Sequence, residues 1–194
     1  AGKSYAIKLE ILRTMMMGVD VIVIDPEMEY KHLADAVGGT YINISLSSES
    51  KVNPFDLPRP TGGEEFSTED IIRGAVITVK GLLRIMLGTL TTEQDSIIDR
   101  ALIETYAKKD ITPEADLNVV KPPIIQDLQE ILEGMEGSGD LVLRLKKYTE
   151  GTFSGLFNSP TNVDMKNQLV VFSVRDLEDE LRPMAIYAII NYIW

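Results

Sequence analysis

The sequence has no cysteine and a single histidine, His32, in 194 residues. Disulfides and thiolate metal sites are thereby excluded, and so is any multi-histidine metal centre. The lack of cysteine fits a reducing compartment. No apolar run reaches the ~18 residues that a membrane-spanning helix needs. Positive charge is scarce: 19 Lys and Arg stand against 30 Asp and Glu, a net charge of −11. The deficit is uneven, with ten acids and three bases between Asp25 and Asp70. Such a surface repels nucleic acid and anionic lipid head groups, so DNA contact would require a local basic patch or segments outside this chain.

What is present is an ordinary globular balance, 44% hydrophobic and 25% charged, in a chain long enough to bury a core without metal or disulfide staples. The sequence opens on "AGKSYAIKLEILRTMMMGVDVIVIDPEMEY". Residues Ser4 to Met17 read as a helix stopped by Gly18. "VDVIVID" reads as a short strand buried on both faces, as in parallel sheets. "YKHLADAVG" is a second helix, on which His32 is a solvated surface residue, and "TYINIS" alternates as a second strand. The rhythm is α/β. It breaks at the Pro/Gly-rich stretch "KVNPFDLPRPTGGEE".

Four helices follow from Ser67 to about Thr149. The first is capped by Ser67 with Asp70, and the second carries a Thr91/Gln94 capping box. A strand "NQLVVFSV" and a helix with Pro183 in its first turn complete the chain. The expected organisation is residues 1–62 as the first part of a nucleotide-binding α/β core, 63–150 as an all-α insertion, and 151–194 as the return to the core. No internal repeat or low-complexity segment occurs. The chain starts within a motif and stops at "AIINYIW"; both ends read as cuts from a longer protein.

Gly2-Lys3-Ser4 is the end of the phosphate-loop signature G-x-x-x-x-G-K-[ST]. Backbone N–H groups at the start of the helix would face phosphate oxygens, Lys3 would reach the terminal phosphates and the Ser4 hydroxyl would hold Mg²⁺. A chance triplet is the bland alternative, but this one opens a helix that leads into an apolar strand ending in Asp25. Asp25, Glu27 and Glu29 lie at the carboxyl end of that strand, where open α/β sheets bind ligands. Asp25 and Glu27 are candidates for a role near the nucleotide; the alternative is that Asp25 caps the next helix while the glutamates favour its N-terminus. Asp35-Ala36-Val37-Gly38 fits a D-x-x-G pattern, but it lies in a helix and no N-K-x-D accompanies it, which argues against a GTPase. Arg144, Lys146, Lys147, Arg175 and Arg182 read as solvated charge, with a trans-acting arginine as the alternative. Phe153, Leu156 and Phe157 of "GTFSGLF" read as core between two turn glycines, with a pocket or interface loop as the alternative, and the Met15-Met16-Met17 run reads as helix-end packing.

The combination "GKS", "VIVIDPEMEY", "GGTYINIS", "NPFDL" and "GTFSGLFNSPTNVDMKNQLVVFSVRDLEDELRPMAIYAIINYIW" resembles the VirB-type conjugal-transfer ATPases of type IV secretion systems (the CagE/TrbE/VirB group), within the FtsK/HerA class of P-loop motors. The resemblance covers most of the chain and is weakest in the helical segment. It implies a partial RecA-like P-loop NTPase core with an all-α inserted subdomain. Gly2, Lys3 and Ser4 would be the Walker A residues binding ATP and Mg²⁺. The Walker B aspartate and catalytic glutamate would lie on a strand beyond Trp194, so this fragment would not hydrolyse ATP alone. It also implies a homo-oligomer, commonly a hexamer, working with other secretion-system subunits at the cytoplasmic face of the bacterial inner membrane. A DNA-translocating pump of the same class, and a non-enzymatic assembly module with a chance GKS, are the alternatives.

Overall fold

The computed structural model describes residues 2–58 and 66–194. The boundary expected between residues 62 and 63, and the last part of the Pro/Gly-rich stretch, lie outside the described residues. Among those described, the fold is mixed α/β, with three parallel strands and seven helices. The chain divides into two compact units, one formed by Ala1–Ser50 with Asn162–Ile186 and the other by Lys51–Thr161 with Tyr187–Trp194.

The first unit holds helix α1 (Gly2–Met16), strand β1 (Val21–Asp25), helix α2 (Lys31–Val37), strand β2 (Thr40–Asn43) and strand β3 (Leu169–Ser173). The sheet order is β1-β3-β2, so the strand latest in sequence is the central one. All five residues of β3 are buried, as its run of Leu, Val, Val, Phe and Ser demands. β1 was expected to be buried on both faces. It is instead an edge strand among the described residues, only half-covered, and Asp25 is its one fully buried residue. One face of the sheet carries a cluster of Ile11, Tyr30, Ala34, Leu169 and Val171, with Val21, Val23 and Tyr41 packed against it. Side chains alternate along strands, so this is the face onto which α1 and α2 pack.

α1 buries only Ile11. Met15, four residues on and thus on the same stripe, joins the cluster, whereas Met16 and Met17 stay exposed. The expected packing of the three methionines therefore holds for one of them, because each step along a helix turns the side chain by about 100°. α2 ends at Gly38, whose φ of 69° is the left-handed cap that glycine adopts at no steric cost. At Gly39 a Cβ would come 2.8 Å from the Leu169 carbonyl oxygen, so the chain can enter β2 only with glycine there.

The second unit contains α3 (Thr68–Leu87), α4 (Thr92–Ala107), α5 (Ile125–Glu133) and α6 (Gly139–Thr149), while α7 (Arg182–Ile193) begins in the first unit and ends in the second. The expected caps are present: the Ser67 side chain accepts from the Asp70 N–H, and Thr91 and Gln94 form a reciprocal box. Apolar stripes on α3 to α6 converge on Leu82, Leu83, Ile98, Leu102, Leu128, Leu132, Leu141 and Leu145. Phe153, Leu156 and Phe157 are buried, as expected from the sequence. Asn53 anchors the "NPFD" turn: its amide donates to the Pro123 carbonyl at 2.8 Å and accepts from the Phe55 N–H at 3.1 Å. Tyr106 closes this corner, its hydroxyl donating to the Phe55 carbonyl at 3.0 Å. Among the described residues, no helix is long and apolar enough to cross a membrane.

Candidate functional site

The direction of α1 follows from its two ends. At its C-terminus, the Gln168 amide donates to the carbonyls of Met15 at 2.7 Å and Val19 at 3.2 Å, and Gln168 immediately precedes β3. That end therefore lies at the amino edge of the sheet. Near the other end, the Lys8 ammonium sits 5.4 Å from the centroid of the Tyr30 ring, beyond the carboxyl end of β1. Ser4 lies one turn further on, about 6 Å along the axis. α2 runs the same way, from Tyr30 at the carboxyl edge to Gly39 at the amino edge beside Leu169. Both helices thus direct their N-termini, with unpaired N–H groups and positive dipole ends, to the carboxyl edge of the sheet on one face.

Gly2, Lys3 and Ser4 form the first turn of α1. No acidic residue lies in that turn, Gly2 and Lys3 are exposed, and Ser4 is half-buried. A Cβ on Gly2 would meet nothing within 4 Å. The donor set fits an anion: uncommitted helix N–H groups, one ammonium and one hydroxyl, with no competing carboxylate. Among the described residues no group of three metal-ligating side chains could hold a cation unaided. A magnesium ion here would therefore rest on the Ser4 hydroxyl and on phosphate oxygens brought with it.

The last residues of the three strands form a row. Asp25 is in register with Ser173, and Ser173 with Asn43. Asp25 shares a face with Val21 and Val23, Ser173 with Leu169 and Val171, and Asn43 with Tyr41, so the row continues the α1/α2 face.

Asp25 is buried and organises the loop that follows it. One carboxylate oxygen accepts from the N–H groups of Glu27 at 3.2 Å and Glu29 at 3.1 Å, and the other from Tyr30 at 2.9 Å. Three of its roughly four acceptor sites are thereby engaged with backbone. Met28 takes a left-handed φ of 62° to make the turn. Glu27 and Glu29 project into solvent. The Tyr30 phenol is buried, and that burial, then the charges of Glu29 and Asp25, hold its pKa above the usual value.

The strand-end loop of β3 is tied to the same place. The Val174 N–H donates to the Asp25 carbonyl at 3.2 Å, and the Arg175 guanidinium to the Glu27 carbonyl at 2.8 Å. Arg182 donates to the carbonyls of Leu177 and Arg175, each at 3.1 Å, and pairs with Asp179 at 2.9 Å. Arg144, in the second unit, donates to the Leu87 carbonyl at 2.7 Å. Of these three arginines, all expected to be solvated charge, Arg175 is exposed while Arg144 and Arg182 are half-buried, and each also donates to main-chain oxygens, a use that local sequence does not announce. Sequence reasoning also missed Asn43, Ser173 and Asp176. The Asn43 amide donates to Asp176 at 2.9 Å, a pairing across 133 residues.

Comparison with solved structures finds a similar fold. VirB4 of Thermoanaerobacter pseudethanolicus matches 100% of this chain at 31% identity, with a TM-score of 0.86. This chain is related to VirB4. The chain spans 53% of the VirB4 chain it matches. No protein-family model and no curated protein matches the sequence.

Proposed function

We propose that this chain is the nucleotide-binding part of a VirB4-like motor ATPase of a type IV secretion system, with a RecA-like P-loop core. The observation that carries this reading is the likeness to VirB4 over the whole of this chain, at a TM-score of 0.86. The site geometry supports it: α1 opens on Gly2-Lys3-Ser4 and directs that turn to the carboxyl edge of a parallel sheet. In this reading the N–H groups of the turn and Lys3 hold the ATP phosphates, and Ser4 contributes to Mg²⁺. The bound nucleotide supplies the phosphoanhydride bond, and the protein supplies positioning and charge stabilisation. Asp25 acts on the site indirectly, by fixing the Pro26–Tyr30 loop, and Glu27 is the exposed carboxylate of that loop. The motor is proposed to work as an oligomer with other secretion-system subunits at the inner membrane.

The test is steady-state ATP hydrolysis by the complete protein that carries this chain, with and without DNA. Turnover that Lys3→Ala lowers about a hundredfold or more, and that DNA leaves unchanged, is the expected result. Turnover raised strongly by DNA and falling steeply with salt would favour a DNA pump. Turnover unaffected by Lys3→Ala would overturn the phosphate-loop assignment.

A further inference from the structure

In the row Asp25–Ser173–Asn43, Asp25 is engaged by backbone while its two neighbours keep unmet hydrogen-bonding capacity. Ser173 is 1% exposed, and among the described residues its Oγ has no hydrogen-bond partner. The Oδ1 of Asn43 is likewise buried and unpartnered. The orientation of the Asn43 amide is fixed chemically: a carboxylate only accepts, so the group facing Asp176 is the NH₂, and the carbonyl oxygen is the free atom. Buried polar atoms without a partner are uncommon in native folds and call for one. Here two of them stand side by side on paired strand ends, on the face and at the edge to which α1 brings its first turn.

We propose that Ser173 and Asn43 together hold one ordered water at the carboxyl edge of the sheet, and that this water forms part of the polar floor of the nucleotide site. This rests on the nucleotide reading above. The donor count fits water: it donates to Asn43 Oδ1 and either accepts from or donates to the Ser173 hydroxyl. A buried water typically makes about three hydrogen bonds, which leaves one directed away from the sheet. A divalent cation fits poorly, because two neutral oxygens with one carboxylate behind them lack the charge that a dedicated cation site supplies. Asp176 holds the Asn43 amide in place from the far side. Ser173 and Asn43 are thus positioning residues for hydrolysis, acting through the water.

Two measurements on the complete protein test this. The first is a nucleotide-free crystal structure, at a resolution that orders solvent, of wild type and Ser173→Ala. A water within hydrogen-bond distance of both atoms in wild type, absent in the variant, is the expected result. Ser173 and Asn43 satisfied instead by protein groups would overturn the proposal. The second compares fluorescent ATP-analogue binding with turnover in Ser173→Ala, Ser173→Thr and Asn43→Ala. The expected split is affinity within about twofold of wild type and kcat lowered at least about tenfold for the alanine variants, with Thr retaining most activity. Wild-type turnover in both alanine variants, beside Lys3-dependent binding, would sink this subsite and leave the nucleotide reading standing. Absence of Lys3-dependent binding in wild type would remove that reading, and the subsite with it. Affinity, kcat and melting temperature all falling together would mark a purely structural role and also overturn the proposal.

Discussion

Asp25 shows how one residue sets a loop. Its buried carboxylate takes three main-chain N–H groups, so Asp25→Ala strands three donors at once. The expected cost is about 1–3 kcal/mol, read as a lower urea midpoint, since the buried Tyr30 N–H forfeits its solvation while the half-covered Glu27 and Glu29 N–H groups regain water. Asp25→Asn keeps an acceptor oxygen and should cost less. Met28, at a φ of 62°, gives the opposite sign: Met28→Gly removes the left-handed Cβ penalty and should leave stability unchanged or raise it by up to about 1 kcal/mol. The identity of Asp25 as a strand-end carboxylate was legible in "VIVIDPEMEY". Its engagement by the loop was legible only as an alternative, because a cap and a catalytic carboxylate share the same residue type and place. Asn43, Ser173 and Asp176 were not legible, since their juxtaposition depends on strand register across more than a hundred residues.

At the scale of elements, all three strands and all seven helices lie where hydrophobic period, caps and glycine stops put them, within one or two residues at most ends. Those signals are local. The sheet order is not: β3 inserts between β1 and β2 from far along the chain, so that among the described residues β1 and β2 each pair with β3 alone. Gly39→Ala tests that packing. The added methyl would meet the Leu169 carbonyl oxygen at 2.8 Å, backbone against backbone, so a loss of about 1–3 kcal/mol is expected by thermal melt.

In the helical unit, α3 and α4 are joined by Lys80, which donates to Asp95 and Asp99 at 2.7 Å each, and by Arg84, which donates to Asp95 at 2.9 Å. The hydrogen bond from Lys80, then that from Arg84, holds the Asp95 pKa below the usual carboxylate value. Burial pulls Lys80 down, but its hydrogen bonds to the two aspartates outweigh this and leave its pKa raised. Asp95 therefore adds stability above its unfolded value near pH ~4, lost as pH falls through the lower folded value. Lys80 adds stability below about pH 10, lost as pH rises through its raised folded value. Asp95→Asn should cost about 1 kcal/mol near neutrality, discounted for partial exposure, and should flatten the loss of stability below about pH 4 in acid melts.

At the scale of the molecule, an anion-seeking helix start, a carboxylate-organised loop and a polar strand-end row lie on one edge of a parallel sheet. The likeness to VirB4 gives that edge its proposed role as an ATP site. The most direct measurement is equilibrium ATP binding by the complete protein, wild type beside Lys3→Ala, in the presence of Mg²⁺. Saturable binding weakened at least about tenfold in the variant, with its melting temperature unchanged, is the predicted result. Wild-type protein that binds no ATP, or a Lys3→Ala variant that binds it equally well, would contradict the account.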